Sequence, residues 1–394
     1  MRQHLTGLVL ACAAVAAPAA AQDVWDDPGG IETSATYEIG AVLAPDADES
    51  ALYVLRGGFE ANFVLENGAE VGVRTSAALG KDHPDRAGFS GVFGPSQPAS
   101  GPAGAYSGLA RGPAGEDIGP RGRIETGYIY IDGGYGELRA GLDEGIATRF
   151  FEGGPTLFRQ AGLVNPALDP TGRVLARTDH DLTGPSLKVS YATPRILGVR
   201  AGASFTPDVS SGSLDRDPVR SLGGADQPDI ENAVEVAVNV SRRLPRSGVR
   251  LRAAAAYSEA DAALAALPGT YENVETWSAG GSVEFSALAF GLSYLDSNNG
   301  LATPAGDYSA LSAALRLTFG KYDAGIEYSD AEDENIGADS EAIGLSLGRN
   351  FGQNLRIVGG WQRFDTRFKG NPLPLAPVTR DRTDGIVIEI TLSG

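Results

Sequence analysis

Residues 51–81 read ALYVLRGGFEANFVLENGAEVGVRTSAALGK, and this stretch decides the fold. From Tyr53 to Leu65 every second residue is apolar or small, whereas the residues between them are mostly polar, and the alternation returns from Val71 to Leu79. A period of two is typical of β-strands with one apolar and one polar face. Asn67 and Gly68 separate the two runs and favour a tight hairpin turn. The stretch therefore predicts an antiparallel hairpin.

The same alternation recurs along the rest of the chain and marks sixteen segments. Most are about 10 to 16 residues long, which is enough for a tilted strand to cross a membrane. They begin near Ile31, Ser50, Ala69, Gly122, Tyr135, Pro185, Gly198, Glu231, Gly248, Asn273, Leu288, Asp307, Lys321, Ser340, Asn354 and Thr383.

The connections between these segments alternate between short and long. The short ones are Asn67–Gly68, Asp132–Gly134, Thr193–Leu197, Leu244–Ser247, Ser286–Ala287, Phe319–Gly320 and Asn350–Gln353. The long ones are Ala44–Glu49, Gly80–Arg121, Asp143–Gly184, Thr206–Ile230, Glu259–Glu272, Asp296–Gly306, Asp330–Asp339 and Phe364–Arg382. This alternation predicts a closed, sixteen-stranded antiparallel transmembrane β-barrel with short periplasmic turns, long outer loops and both ends in the periplasm. Side chains cannot fill so wide a ring, so we expect a water-filled lumen.

Aromatic residues cluster near both ends of the predicted strands. Those near the outer ends are Tyr53, Phe205, Tyr257, Trp277, Tyr294, Tyr308, Tyr328 and Trp361, and those near the inner ends are Phe63, Tyr130, Tyr191, Phe285, Phe290, Phe319 and Tyr322. Nearly all lie on the apolar face, which predicts two aromatic girdles at the membrane surfaces.

The first residues have the pattern of a secretory signal peptide. Arg2 precedes the apolar run Leu5–Ala17, and Ala19–Ala21 supplies a small-residue cleavage site. We therefore expect residues 1–21 to be removed and residues 22–394 to form the barrel in the bacterial outer membrane. The only cysteine, Cys12, leaves with the signal peptide, which excludes disulfides and cysteine-based metal sites.

Charge and histidine content limit the possible functions. A net charge of −18 argues against nucleic-acid binding, which needs a basic surface. His83 and His180 lie in predicted loops without a convincing catalytic set, so we expect no enzyme and no cofactor. Acidic clusters in outer loops are either solvated surface or bind Ca²⁺ that bridges to lipopolysaccharide. These clusters are Asp46, Asp48 and Glu49, and Asp330, Glu332, Asp333 and Glu334.

Two stretches resemble those of Gram-negative general porins of the alphaproteobacterial type. Tyr128–Gly145 (YIYIDGGYGELRAGLDEG) resembles the hairpin before the porin constriction loop, and Lys188–Asp208 (KVSYATPRILGVRAGASFTPD) resembles a later hairpin. The resemblance implies a homotrimer and an inward-folded third loop, here residues 143–184. The Gly/Pro-rich loop Gly80–Arg121 is either a strap that reaches a neighbouring subunit or a surface loop. Family members usually end in an aromatic residue, whereas this chain ends in Gly394.

Four arginines lie on the polar face of consecutive strands and predict a basic pore wall: Arg56, Arg74, Arg123 and Arg139. Glu144 and Glu152, in the third loop, are the acids expected to face them. Opposite charges across a narrow pore would sort solutes by polarity. We therefore expect a porin for passive diffusion of small hydrophilic solutes with weak cation preference. The alternatives are a substrate-specific channel, or a barrel enzyme or adhesin.

Overall fold

The computed structural model describes residues 30–45, 47, 50–83, 86, 93, 101–112, 119–209, 227–302, 306–369 and 379–394. The predicted signal peptide and the acidic cluster Asp46, Asp48 and Glu49 lie outside the described residues. Among the described residues, none of the helices is both long and apolar enough to span a membrane.

Alternating apolar and polar residues form sixteen strands. They are β1 (Glu32–Leu43), β2 (Ala51–Val64), β3 (Glu70–Lys81), β4 (Arg121–Gly133), β5 (Gly136–Asp143), β6 (Ser186–Ala192), β7 (Val199–Asp208), β8 (Asp229–Arg243), β9 (Arg250–Ala263), β10 (Val274–Phe285), β11 (Leu288–Ser297), β12 (Tyr308–Phe319), β13 (Tyr322–Asp333), β14 (Ala338–Phe351), β15 (Leu355–Phe368) and β16 (Thr379–Ser393). A short helix, α1 (Ile146–Phe150), follows β5. Each strand pairs antiparallel with its sequence neighbours, and β1 pairs with β16 to close the barrel. The predicted count and topology are confirmed.

The two faces of the barrel differ in chemistry. On β8, Val234 and Val236 point outward and are 48% and 46% exposed, whereas the alternate residues Glu235 and Ala237 are buried inside. Lipid therefore meets aliphatic side chains, and the polar residues of the same strand line the lumen.

Two aromatic residues predicted to lie in the girdles instead face the lumen. Tyr130 points inward and its hydroxyl donates to Glu60 and Glu70, at 2.7 and 2.6 Å. The reason is a β-bulge: the register between β3 and β4 shifts between Ser76 and Ala77. One extra residue on β4 moves the side chains that follow it to the opposite face of the strand. A sequence pattern does not reveal such an extra residue. Tyr308 is also buried inside.

The prediction of a long connection at Asp330–Asp339 was wrong. β13 continues to Asp333 and β14 begins at Ala338, so residues 334–337 form only a tight turn. Strand alternation also divides the acidic cluster, since Asp333 is buried inside whereas Asp330 is exposed outside. Within the described ranges, no group of three or more His, Cys, Asp or Glu side chains is arranged to hold a metal ion.

The largest apolar core lies inside the barrel rather than on its surface. It gathers inward side chains at the outer ends of β8 to β15 together with loop residues, among them Tyr106, Leu175, Leu182, Leu295 and Tyr308. The outer half of the lumen is therefore partly filled by segments of two outer loops, residues 101–112 and residues 144–185.

Candidate functional site

The connection between β5 and β6, residues 144–185, folds into the barrel and follows its inner wall. Its first part lies beside β8, where Asn239 donates to the carbonyl oxygen of Phe150 at 3.2 Å. Further on, Gly154 approaches Ala314 of β12, and Gln160 lies beside Gly40 of β1. The predicted inward fold of this connection, which is called the constriction loop below, is confirmed.

A buried carboxylate on β8 anchors the root of the constriction loop. Glu235 accepts hydrogen bonds from the backbone N–H of Ala147 at 3.2 Å and from the Thr183 hydroxyl at 2.8 Å. It comes so close to Gly145 that a Cβ there would overlap the carboxylate oxygens. Glu235 therefore joins the beginning and the end of the loop.

Two further inward carboxylates hold the middle of the loop. Glu389 of β16 accepts three backbone N–H groups, from Arg159 and Gln160 at 2.8 Å and from Ala161 at 3.0 Å. Glu327 of β13 accepts the Thr156 hydroxyl at 2.6 Å. Hydrogen bonds to charged groups are stronger than neutral ones, so these acids fix the loop against the wall.

Glycines in the wall allow the loop backbone to lie close to the strands. A Cβ at Gly280 of β10 would overlap the carbonyl oxygen of Glu152. At Gly291 of β11, a Cβ would lie 2.9 Å from the carbonyl oxygen of Gly153. Larger residues at either position would push the loop toward the centre of the pore.

The returning half of the loop is held by a buried histidine. The two ring nitrogens of His180 lie 2.8 Å from the hydroxyl oxygens of Ser278 and Ser258, on β10 and β9. Burial lowers the pKa of His180 from 6.5 to about 4, although Glu235 and Asp181 act in the opposite direction. His180 is therefore neutral at pH 7, and each serine can complement one nitrogen of the ring.

Arg56 forms the centre of a charged network on the opposite side of the lumen. Its guanidinium donates to Glu38 of β1 at 2.8 Å, to Glu125 of β4 at 3.3 Å and to Gln160 of the constriction loop at 3.1 Å. Arg159 of the loop also donates to Glu38, at 3.0 Å. Loop and wall therefore share one network of alternating charges.

The four predicted wall arginines each pair with a carboxylate. Arg123 contacts Glu125 at 2.8 Å, whereas Arg74, with half of its side chain exposed, reaches Glu60 only at 3.9 Å. Arg139 contacts Glu137 and Asp143, at 2.6 and 3.1 Å. It also lies 4.7 Å from the ring centroid of Tyr128. Arg56, Arg74 and Arg123 thus line the lumen, and each pairs there with a carboxylate. Arg139 packs at the root of the loop.

In the part of the chain that the structure describes, neither of the two predicted loop acids forms an ion pair with these arginines. Glu144 is exposed at the start of the loop. Glu152 is half-buried beside β8, where the Asn239 amide donates to it at 3.4 Å. Its carbonyl oxygen approaches β10, which stands eight strands from β2 in a ring of sixteen. Glu152 therefore lies against the wall opposite Arg56, with the lumen between them.

Several residues of this site were not predicted. Glu235, Glu327 and Glu389 hold the loop, and Glu38 and Arg159 belong to the charged network. The signal for the first three was present, since each is an acid on the inward face of an apolar strand. An open cavity of about 650 Å³ lies beside the network and is lined by Arg56, Glu38, Glu125 and Arg159 among others.

Comparisons with known proteins agree with this architecture. A family model described as Gram-negative porin matches residues 7–369. No curated protein sequence matches the chain.

Several solved structures have the same fold at low sequence identity. Salmonella typhi OmpF in complex with daunomycin has a TM-score of 0.59 and 10% identity, over 94% of this chain and 99% of that one. Pseudomonas putida OprB, a structure at high pH, has a TM-score of 0.57 and 12% identity over 93% and 94%. The trimer form of in-vitro folded OmpT from Vibrio cholerae has a TM-score of 0.55 and 12% identity over 93% and 100%.

Proposed function

The chain belongs to the family of Gram-negative porins, and from that premise we propose that its pore is a weakly cation-preferring passage for small hydrophilic solutes. An outer-membrane β-barrel of this family is a channel for passive diffusion. The narrowest point of this channel lies at the constriction loop, and the charged side chains beside the loop determine which ions pass.

The constriction loop supports the proposed place. Backbone N–H groups of the loop are held by wall carboxylates, so the loop occupies a fixed position inside the ring. A ring of sixteen strands would otherwise leave a wide aqueous channel. We infer that solutes pass between the loop and the wall that carries Arg56, Arg74 and Arg123.

The charges at this passage support weak cation preference. Glu38 and Glu125 largely neutralise Arg56 at short range, so the wall is mixed rather than basic. The net charge of the whole chain is −18, which adds a negative potential at the pore mouth. This long-range part fades in salt, because the screening length falls to about 3 Å near 1 M.

Planar-bilayer recording tests the proposal. We expect large conductance steps without saturation by sugars, and reversal potentials that show cation preference at low salt and less at high salt. Conductance that saturates with one sugar would instead favour a substrate-specific channel. Absence of any channel activity would leave an enzyme or an adhesin, which membership of the porin family disfavours.

Charge substitutions locate the selective groups. Arg74→Ala removes the more exposed guanidinium, and Arg56→Ala removes the cation that Glu38 and Glu125 share, so both should increase cation preference and conductance. Glu152→Gln should reduce cation preference. Arg250→Ala, a lumen arginine paired with Glu284, is a control outside the proposed passage. If Arg74→Ala, Arg56→Ala and Glu152→Gln all keep the selectivity of the unaltered channel, the constriction lies elsewhere.

We also propose that the protein assembles as a homotrimer. The support is family membership and the trimer form of Vibrio cholerae OmpT, which has the same fold. Detergent-extracted protein should migrate as a heat-sensitive trimer on unheated gels. Cross-linking that captures only monomers at all protein concentrations would exclude it.

A further inference from the structure

Part of the connection between β3 and β4 lies inside the mouth of its own barrel. The segment has the sequence GPAGAYSGLARG, residues 101–112, and is called the cross-strap below. Tyr106 at its centre is fully buried. The tyrosine ring packs on Tyr308 of β12, with ring centroids 5.4 Å apart. This segment is thus part of the internal core and does not lie on the outer surface.

Asn299, in the connection between β11 and β12, is the main anchor of the cross-strap. Its side-chain oxygen accepts the backbone N–H groups of Tyr106 and Ser107, at 3.1 and 2.8 Å. Its side-chain amide donates to the Ser107 hydroxyl at 3.1 Å, and its carbonyl oxygen accepts the N–H of Ala105 at 2.8 Å. Asn299 is fully buried, so water does not compete for these bonds.

A second anchor lies one outer connection further along the barrel. The side-chain amide of Asn335 donates to the carbonyl oxygens of Pro102 and Leu109, both at 3.0 Å. Arg111 donates to the carbonyl oxygen of Ile336 at 3.1 Å. The cross-strap is therefore held at both of its ends as well as at its centre.

The strand order shows how far the cross-strap reaches. It belongs to the connection between β3 and β4, but its central anchor follows β11 and precedes β12. In a closed ring of sixteen strands these two positions are eight strands apart, at opposite ends of a diameter. The chain therefore crosses the outer mouth of the pore.

The cross-strap carries little charge. Arg111 is its only ionisable side chain apart from the buried Tyr106. Its other residues present small side chains and peptide groups, seven of them Gly or Ala. Such a segment obstructs solutes by volume and has little effect on the electrostatic potential of the mouth.

From these contacts, and on the basis of the proposed channel function, we propose that the cross-strap is a second filter at the outer mouth, in series with the constriction loop. It limits the size of hydrophilic solutes that enter, and the constriction loop acts on their charge. The notion that this connection serves a neighbouring subunit does not apply to residues 101–112, which bind their own barrel.

Two variants release the central anchor from opposite sides. Asn299→Ala removes the side chain that holds Tyr106 and Ser107. Gly104→Leu adds a side chain where a Cβ would already overlap the Asn299 amide. Asn273→Ala is the matched control, since Asn273 also lies at the mouth but its amide donates to Glu259. Heat-modifiable migration on gels confirms that each variant has a folded barrel.

We expect both releasing variants to have higher single-channel conductance and to admit larger sugars in liposome swelling with glucose, sucrose and raffinose. Their ratio of cation to anion permeability should equal that of the unaltered protein, and Asn273→Ala should change neither property. If folded Asn299→Ala and Gly104→Leu keep the original conductance and size limit, the filter is refuted. If the unaltered protein forms no channel at all, the proposed function fails instead.

Discussion

Removal of the Glu389 side chain should detach the middle of the constriction loop. In Glu389→Ala, the N–H groups of Arg159, Gln160 and Ala161 lose the only acceptor that the three share. A hydrogen bond to a charged group contributes about 1.5–3 kcal/mol, and the lower value for three bonds amounts to about 4.5 kcal/mol. Every 1.4 kcal/mol is a factor of ten, so the detached population should rise about a thousandfold.

Single-channel recording measures this effect directly. We expect Glu389→Ala to show added current noise and conductance sublevels, because a loop without its anchor moves within the lumen. Glu284→Ala is the matched control, since Glu284 is also an inward carboxylate but pairs with Arg250 and Arg316 of the wall. Quiet channels of unaltered conductance in Glu389→Ala would refute the reasoning, provided that the variant folds.

Three other outcomes follow from the structure. Val236→Arg should destabilise the barrel by about 2–4 kcal/mol because a charge would face lipid, whereas Asn62→Arg in the lumen should be tolerated; equal urea unfolding curves would contradict this. The pKa of His180 falls from 6.5 to about 4 on burial, so loop docking should be complete above pH 6.5 and weaken as the pH falls toward 4. Single-channel recordings should therefore become noisier as the pH falls over this range, and His180→Gln should abolish that pH dependence. Gly145→Ala should loosen the loop root and expose it to limited proteolysis, with Gly134→Ala, which meets no neighbouring atom, as its control.

The sequence was sufficient to predict the number and order of the strands, because lipid outside and water inside require apolar and polar residues to alternate along each strand. Val234 and Val236 must face lipid, so the period of two persists and each strand begins within four residues of its predicted start. The rule fails where the backbone is irregular. One extra residue on β4 reverses the parity there, and Tyr130 was therefore assigned to the wrong face.

Loop contacts were harder to predict, because they join residues that are far apart in sequence. The bonds from Asn299 to the cross-strap span almost half of the chain, and no local pattern in residues 101–112 indicates an inward position. The four arginines face the lumen in the structure, but the sequence pattern does not show which carboxylate each one contacts. Glu38, for example, reaches Arg56 only because β1 and β2 pair in the observed register.

The internal core has a consequence for the order of folding. Its side chains come from eight different strands, β8 to β15, together with both inward loops, so it cannot assemble before most of the ring has closed. Contacts that require so much prior chain closure form late and open early. Tyr106 and Tyr308 should accordingly become accessible to solvent at urea concentrations that leave the strand ladder intact. Hydrogen exchange would then report two cooperative units, an outer cylinder and a less stable interior that melts within it.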